Sequence, residues 1–109
     1  MNIKQLVDDA HSNGKKKGWH EKKREIPELL CLIHSEVSEA LEEYRNGHSP
    51  TKIYYKKADK PEGIPIELAD VVIRIADLCG LYGIDLQDAI EEKMSYNKDR
   101  PYRHGGKVC

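Results

Sequence analysis

Apolar residues recur along this chain at the three-to-four-residue spacing of helices, and the alternation of a half-buried strand is nearly absent. Ile3, Leu6, Val7 and Ala10 predict a first helix that ends between Gly14 and Gly18. Residues 15–25 read as a basic connector, with Lys15, Lys16, Lys17, Lys22, Lys23 and Arg24 around Trp19. Leu29, Leu30, Ile33, Val37, Ala40, Leu41 and Tyr44 predict a second helix from about Pro27 to Arg45. Proline is tolerated in a first turn, and Asn46-Gly47 is a stop signal. Residues 46–63 hold two prolines, two glycines and several lysines and read as a loop, which at that length either has a task of its own or is partly mobile. A third helix opens at Pro65 and runs to about Tyr82, capped by Gly83. Asp85, with Asp88 three residues on, caps a fourth that carries Leu86, Ala89, Ile90 and Met94 inward and ends near Asn97. Arg100-Pro101 stops it, and residues 101–109 form a basic, glycine-containing tail. Four helices on short or medium connections predict an all-α, four-helix-type bundle, a single domain over 1–109.

Composition narrows the function classes. At 109 residues the chain suits one domain with one core. Lysine plus arginine number 18 and aspartate plus glutamate 19, a formal charge of -1, so no global excess points to polymeric nucleic acid or an anionic membrane. Phe is absent, which leaves the core to aliphatic side chains. Cys31, Cys79 and Cys109 are odd in number and form no CxxC pair, which argues against a zinc ribbon or a redox centre. Cys31 and Cys79 sit among apolar neighbours and read as small hydrophobes. With no signal-like segment after Met1 and the longest apolar stretch broken by Arg74 and Asp77, a cytoplasmic protein is expected.

The third helix carries the most information. From Leu68 to Cys79 every residue is apolar except Asp70, Arg74 and Asp77. At roughly 100° per residue, these three and Glu67 share a stripe of roughly 80°. A helix apolar on nearly all sides is buried, so its only polar stripe must face something that compensates acidic groups. Either Arg74 closes an internal salt bridge, or a cation is held. On the second helix Glu36, Glu39 and Glu43 lie at i, i+3 and i+7, on one flank of the apolar stripe. If the two consecutive helices pack antiparallel, Glu36 and Glu39 face Glu67 and Asp70. Two carboxylates about 4 Å apart repel by about 4 kcal/mol at an effective dielectric of about 20. Four together require protonation or a cation, and hard divalent ions such as Mg²⁺ take oxygen ligands of this kind. The plainer account of Glu36 and Glu39 alone is a solvated helix face. No glutamate is followed by histidine three residues later, which disfavours a di-iron bundle. Lys93, Asn97 and Arg100 share a face at the end of the fourth helix, suited to polyphosphate oxygens or simply to the helix dipole.

The set Glu36-Val37-Ser38-Glu39, Glu67-Leu68-Ala69-Asp70, then Lys93, Asn97 and Arg100-Pro101 resembles the MazG-like nucleotide pyrophosphohydrolases of the all-α NTP pyrophosphatase superfamily, over about Trp19 to Lys107. The tail from Arg100 to Lys107 is similar to that of small, stand-alone members. The resemblance implies Mg²⁺-dependent cleavage, with Mn²⁺ as an alternative ion, between the α- and β-phosphates of a (d)NTP, giving a monophosphate and pyrophosphate. It implies Glu36, Glu39, Glu67 and Asp70 as metal ligands and catalytic carboxylates. Lys93 and Asn97, with Arg100 as helper, would contact substrate phosphates. House-cleaning of the nucleotide pool follows by analogy alone. Rival readings are a related all-α phosphohydrolase acting on dUTP or phosphoribosyl-ATP, and a non-catalytic helical module that binds nucleotide or metal and regulates a partner.

Trp19 is a candidate for stacking on a base, with a core anchor as the plainer reading. Lys52, Lys56, Lys57 and Lys60 form either a basic flap or a solvated loop, with Tyr54 and Tyr55 as weaker stacking candidates. His34 reads as a packing or surface residue, and His104-Gly105-Gly106 as a frayed tail or a phosphate wrap. The third helix has more apolar sides than a four-helix monomer covers, so a homodimer or homotetramer is expected, a state the resemblance also implies. A loop or tail of one chain would then be able to complete its neighbour's site.

Overall fold

The computed structural model describes residues 1–101; the tail reading beyond Pro101, including His104, Gly105, Gly106 and Cys109, lies outside them. Four helices, α1 (Ile3–Lys16), α2 (Ile26–Arg45), α3 (Ile64–Tyr82) and α4 (Leu86–Lys98), account for most of it. A small two-stranded sheet, β1 (Tyr54–Lys56) and β2 (Lys60–Glu62), interrupts them. Among the described residues no helix is long and apolar enough to cross a membrane.

Local chemistry sets the helix ends. Asn2 and Gln5 form a reciprocal cap on α1: the Gln5 amide donates to Asn2 Oδ1 at 2.7 Å and the Asn2 amide to Gln5 Oε1 at 2.9 Å. Pro27 and Pro65 sit in the first turns of α2 and α3, where no amide hydrogen is missed. Gly83 ends α3 in the left-handed region at φ 66°, and the Asp85 carboxylate accepts from the Asp88 amide at 3.0 Å to start α4.

The segment 46–63, expected as a loop, contains the antiparallel hairpin β1–β2, with Tyr54 opposite Glu62 and Lys56 opposite Lys60. Its turn places Ala58 at φ 60° and Asp59 at φ 57°. Neither residue gives the Asn-Gly signal by which such turns are read, and Pro61 counts against a strand except at an edge, so the sequence conceals the hairpin. Gly63 follows at φ 122°, where an added Cβ would strike the Lys52 carbonyl.

Helix α3 is the hub: α1 and α2 both pack on it, β2 touches it, and α4 leans on α1. Val7 and Ala10 of α1 and Ala76 and Cys79 of α3 make the buried cluster, with Ile3, Leu6, Ile75 and Leu86 packed around it. Burial raises the Cys79 thiol above its ordinary range. Cys31, by contrast, is exposed, contrary to the apolar setting of its neighbours in sequence.

The expected core is only partly formed. Helix α2 buries Leu29 and Ala40, whereas Leu30, Val37, Leu41 and Tyr44 remain 48%, 49%, 54% and 64% exposed. On α3 Leu68 and Val72 are half exposed, and on α4 Ala89 and Met94 face solvent rather than the core. The helical period marks the apolar face correctly, but the described residues leave that face partly uncovered.

The Gly83 cap yields a clean test, because no atom lies within 4 Å of a Cβ built there. Gly83→Ala is expected to cost about 1–2 kcal/mol through the left-handed conformation alone. The corresponding fall in Tm is about 4–16 °C, read by circular dichroism.

Candidate metal centre

Packing α2 against α3 brings Glu36, Glu67 and Asp70 into one group, with a carboxylate oxygen from each within 4.8 Å of the others. Glu36 comes from the middle of α2, Glu67 from the first turn of α3, and Asp70 follows one turn later. Burial raises Glu67 above the ordinary carboxylate range, reinforced by the charges of Asp70, Glu62, Glu36 and Glu39. Glu39 is exposed, one turn beyond Glu36, and its charge reaches Glu67 although its oxygens stand outside the three-residue group.

Glu67 also belongs to a second group that sequence reasoning missed, with Glu43 and Glu62. Glu62 is 8% exposed at the end of β2, carried there by the unread hairpin. The Tyr54 hydroxyl donates to the Glu43 carboxylate, at 2.9 Å from both oxygens. Burial, this hydrogen bond and the charges of Glu43, Glu62 and Glu67 push the Tyr54 phenol up to about 12. His48 stacks on the Tyr54 ring at 4.7 Å, and its Nε2 lies 3.6 Å from Glu43. The only signal for Glu43 is its position at i+7 from Glu36; the signal for Glu62 is an acid just ahead of a helix N-terminus.

Among the described residues, Arg74 and Lys60 answer part of this charge. Arg74 Nε lies 3.6 Å from Glu36 of α2, a pair across the two helices and not the internal one expected along α3, and Lys60 Nζ lies 3.2 Å from Glu62. Arg74 thus pairs across to α2, while Glu67 and Asp70 stay beside that pair. The oxygen-only donor set of Glu36, Glu67 and Asp70, with Glu39 in reach, suits a hard divalent cation such as Mg²⁺ or Mn²⁺.

The remaining candidates lie elsewhere. Lys93 and Arg100 stand over the Tyr96 ring, with Nζ and Cζ 4.9 and 5.6 Å from its centroid, on a helix that packs against α1. Among the described residues no salt bridge or hydrogen bond joins Lys93, Asn97 or Arg100 to the carboxylates. Trp19 is half-buried, with the guanidiniums of Arg24 and Arg74 at 4.0 and 3.8 Å from its ring centroid. Two guanidiniums that close to one centroid fit only on opposite faces, so a base stacks there only after one of them moves. Tyr55 and His34 are exposed. Asp77, the last residue of the polar stripe, turns instead to His11 and His20.

Comparison with known proteins gave no match to any family model, any curated protein or any solved structure.

The raised Glu67 carboxyl has a signed consequence. Without metal, the folded chain holds this proton to higher pH than the unfolded chain does. The stabilisation is full below the unfolded value near 4.5 and is lost as pH rises through the folded value. Glu67→Gln is therefore expected to melt above wild type near neutral pH in EDTA. Added Mg²⁺ should raise the wild-type Tm more than the variant's, and less as the pH falls toward the carboxylate range. Paired melts across that pH range check the sign.

Proposed function

We propose that the chain is a metal-dependent nucleoside triphosphate pyrophosphohydrolase of the MazG-like kind, acting in the cytoplasm on free (d)NTPs. The observation that carries the reading is the convergence of Glu36 with Glu67 and Asp70, from two different helices, into one oxygen-rich group. The separation of the two motifs along the chain matters little once α2 and α3 pack. Glu36, Glu39, Glu67 and Asp70 would hold Mg²⁺, which supplies charge neutralisation for the phosphates and a lower pKa for the attacking water. Of the protein's own groups, one carboxylate of the set orients that water or takes its proton. Little else is asked of the chain beyond positioning and electrostatics. House-cleaning of unwanted nucleotides is the corresponding cellular role, with dUTP or phosphoribosyl-ATP as alternative substrates.

One observation favours a second reading. Lys93, Asn97 and Arg100 do not meet the carboxylates within one chain, so a lone protomer offers a metal site without its phosphate-binding cations. A non-catalytic metal- or nucleotide-binding module would need no more. The alternative is that a second copy completes the site. On α2, Leu30, Val37, Leu41 and Tyr44 fall within about 60° of one another at roughly 100° per residue, and all four are exposed. Such a stripe suits a homodimer or homotetramer, each half-exposed side chain gaining a share of the roughly 1.5–3 kcal/mol that full burial provides.

Four experiments test this. Phosphorus NMR of the protein with a panel of NTPs and dNTPs should give monophosphate and pyrophosphate with Mg²⁺ and nothing with EDTA. Glu39→Ala and Asp70→Ala should each lower turnover by at least about 100-fold while the helical spectrum persists. Orthophosphate with diphosphate would overturn the assignment, and no turnover would favour the binding module. In sedimentation, Leu41→Lys should shift the protein toward monomer. Mixing inactive Asp70→Ala with inactive Lys93→Ala should restore measurable activity if the phosphate-binding cations arrive from the partner copy.

A further inference from the structure

We propose that His11, His20 and Asp77 form a second metal site, for a borderline transition-metal ion such as Zn²⁺, independent of the carboxylate centre. The three residues come from α1, the 15–25 connector and α3, and only the fold unites them. His11 Nδ1 and His20 Nε2 lie 2.9 and 2.7 Å from the same oxygen of Asp77, Oδ1. The two rings meet edge to face with centroids 5.0 Å apart. The three ligand atoms lie within 4.8 Å of one another. The side chains are 20%, 17% and 7% exposed, dry enough to strengthen a coordinate bond yet open to an entering ion.

The donor set differs in kind from the acidic group on α2 and α3. Two imidazole nitrogens and one carboxylate oxygen suit Zn²⁺ and its neighbours, whereas oxygens alone suit Mg²⁺. Each neutral imidazole need only carry its hydrogen on the other ring nitrogen to present a lone pair. Bonds of about 2.0–2.1 Å to an ion require the ligand atoms to open by a few tenths of an ångström from their hydrogen-bonded spacing.

Two glycines make room for the cluster. A Cβ at Gly14 would stand 2.6 Å from Asp77 Oδ2, and one at Gly80 would strike the His11 Cβ. Both lie within helices, where glycine costs about 1 kcal/mol relative to alanine. Both hydrogen bonds fall on Oδ1, while Oδ2 is turned toward Gly14. Gly14 and Asp77 border a cleft of about 330 Å³ with Asn13, Gly18 and Trp19, so solvent reaches the Asp77 side of the cluster. Asp77 lies seven residues beyond Asp70, about 10.5 Å along the helix. That is far more than the about 3.5–4 Å of a shared two-metal centre, so the ion would act alone. Its effect would be structural, tying the connector that carries Trp19 to α1 and α3.

The test uses untagged, chelator-stripped protein titrated with Co²⁺ and then Zn²⁺. The expected result is the visible absorption of four-coordinate cobalt, saturating at one equivalent and bleached by zinc. Zinc in about hundredfold excess over its Kd should raise Tm by roughly 10 °C or more. His20→Ala should lose both responses with its helical spectrum intact, and Glu67→Gln should keep both. If His20→Ala proves too unstable to titrate, His20→Gln, which retains a donor toward Asp77, replaces it with the same expected loss. Absence of cobalt colour in the wild type, its persistence without His20, or its loss in Glu67→Gln would overturn the site.

Discussion

Helix α3 is apolar on so many sides that the few charged groups of its polar stripe decide where the other elements make their polar contacts with it. Glu67 and Asp70 meet Glu36 of α2, Arg74 reaches Glu36 and the Trp19 ring, and Asp77 accepts from two histidines. The stripe that reads as one surface in sequence is therefore divided in space. Its first half looks toward α2 and the hairpin, its last residue toward α1 and the connector. Arg74 stands between them as the cation that keeps the acidic half and the aromatic connector in contact.

The hairpin follows the same logic. It brings Glu62 to Glu67, which increases the negative charge, and it brings Tyr54 to Glu43, which donates a hydrogen bond into that charge. Carboxylates gathered this closely around a buried Glu62 repel one another as they stand. Proton uptake at Glu67 relieves part of the repulsion, and a divalent cation would relieve more. That is the physical basis for treating these residues as a centre instead of a solvated helix face.

Burial within the single chain stops short. Val7, Ala10, Ala76 and Cys79 make a core of small side chains where α1 crosses α3, while larger apolar residues of α2 stay half exposed. Small residues let two helices approach closely, which fixes the α1–α3 pair, but they contribute little apolar area each. The exposed stripe on α2 and the lack, among the described residues, of any polar contact from Lys93 or Asn97 to the carboxylates are two separate deficits. Both would be met by the proposed self-association.

The sequence by itself determined the four helices and their ends, because period, proline placement and caps act over a few residues. It also marked Glu67 and Asp70, as acids on an otherwise apolar helix, and Glu36 by its i, i+3, i+7 spacing with Glu39 and Glu43. It did not reveal the hairpin, whose turn at Ala58-Asp59 uses left-handed residues without a glycine signal. Nor did it reveal Glu43 and Glu62 as neighbours of Glu67, or His11 and His20 as partners of Asp77, because those meetings depend on how distant segments pack. The inward face assigned to Leu30, Val37, Leu41 and Tyr44 came from the right period, but only tertiary structure decides whether anything covers it. Local rules choose elements and faces, whereas the pairing of charges and the completion of a core depend on which surfaces are brought together.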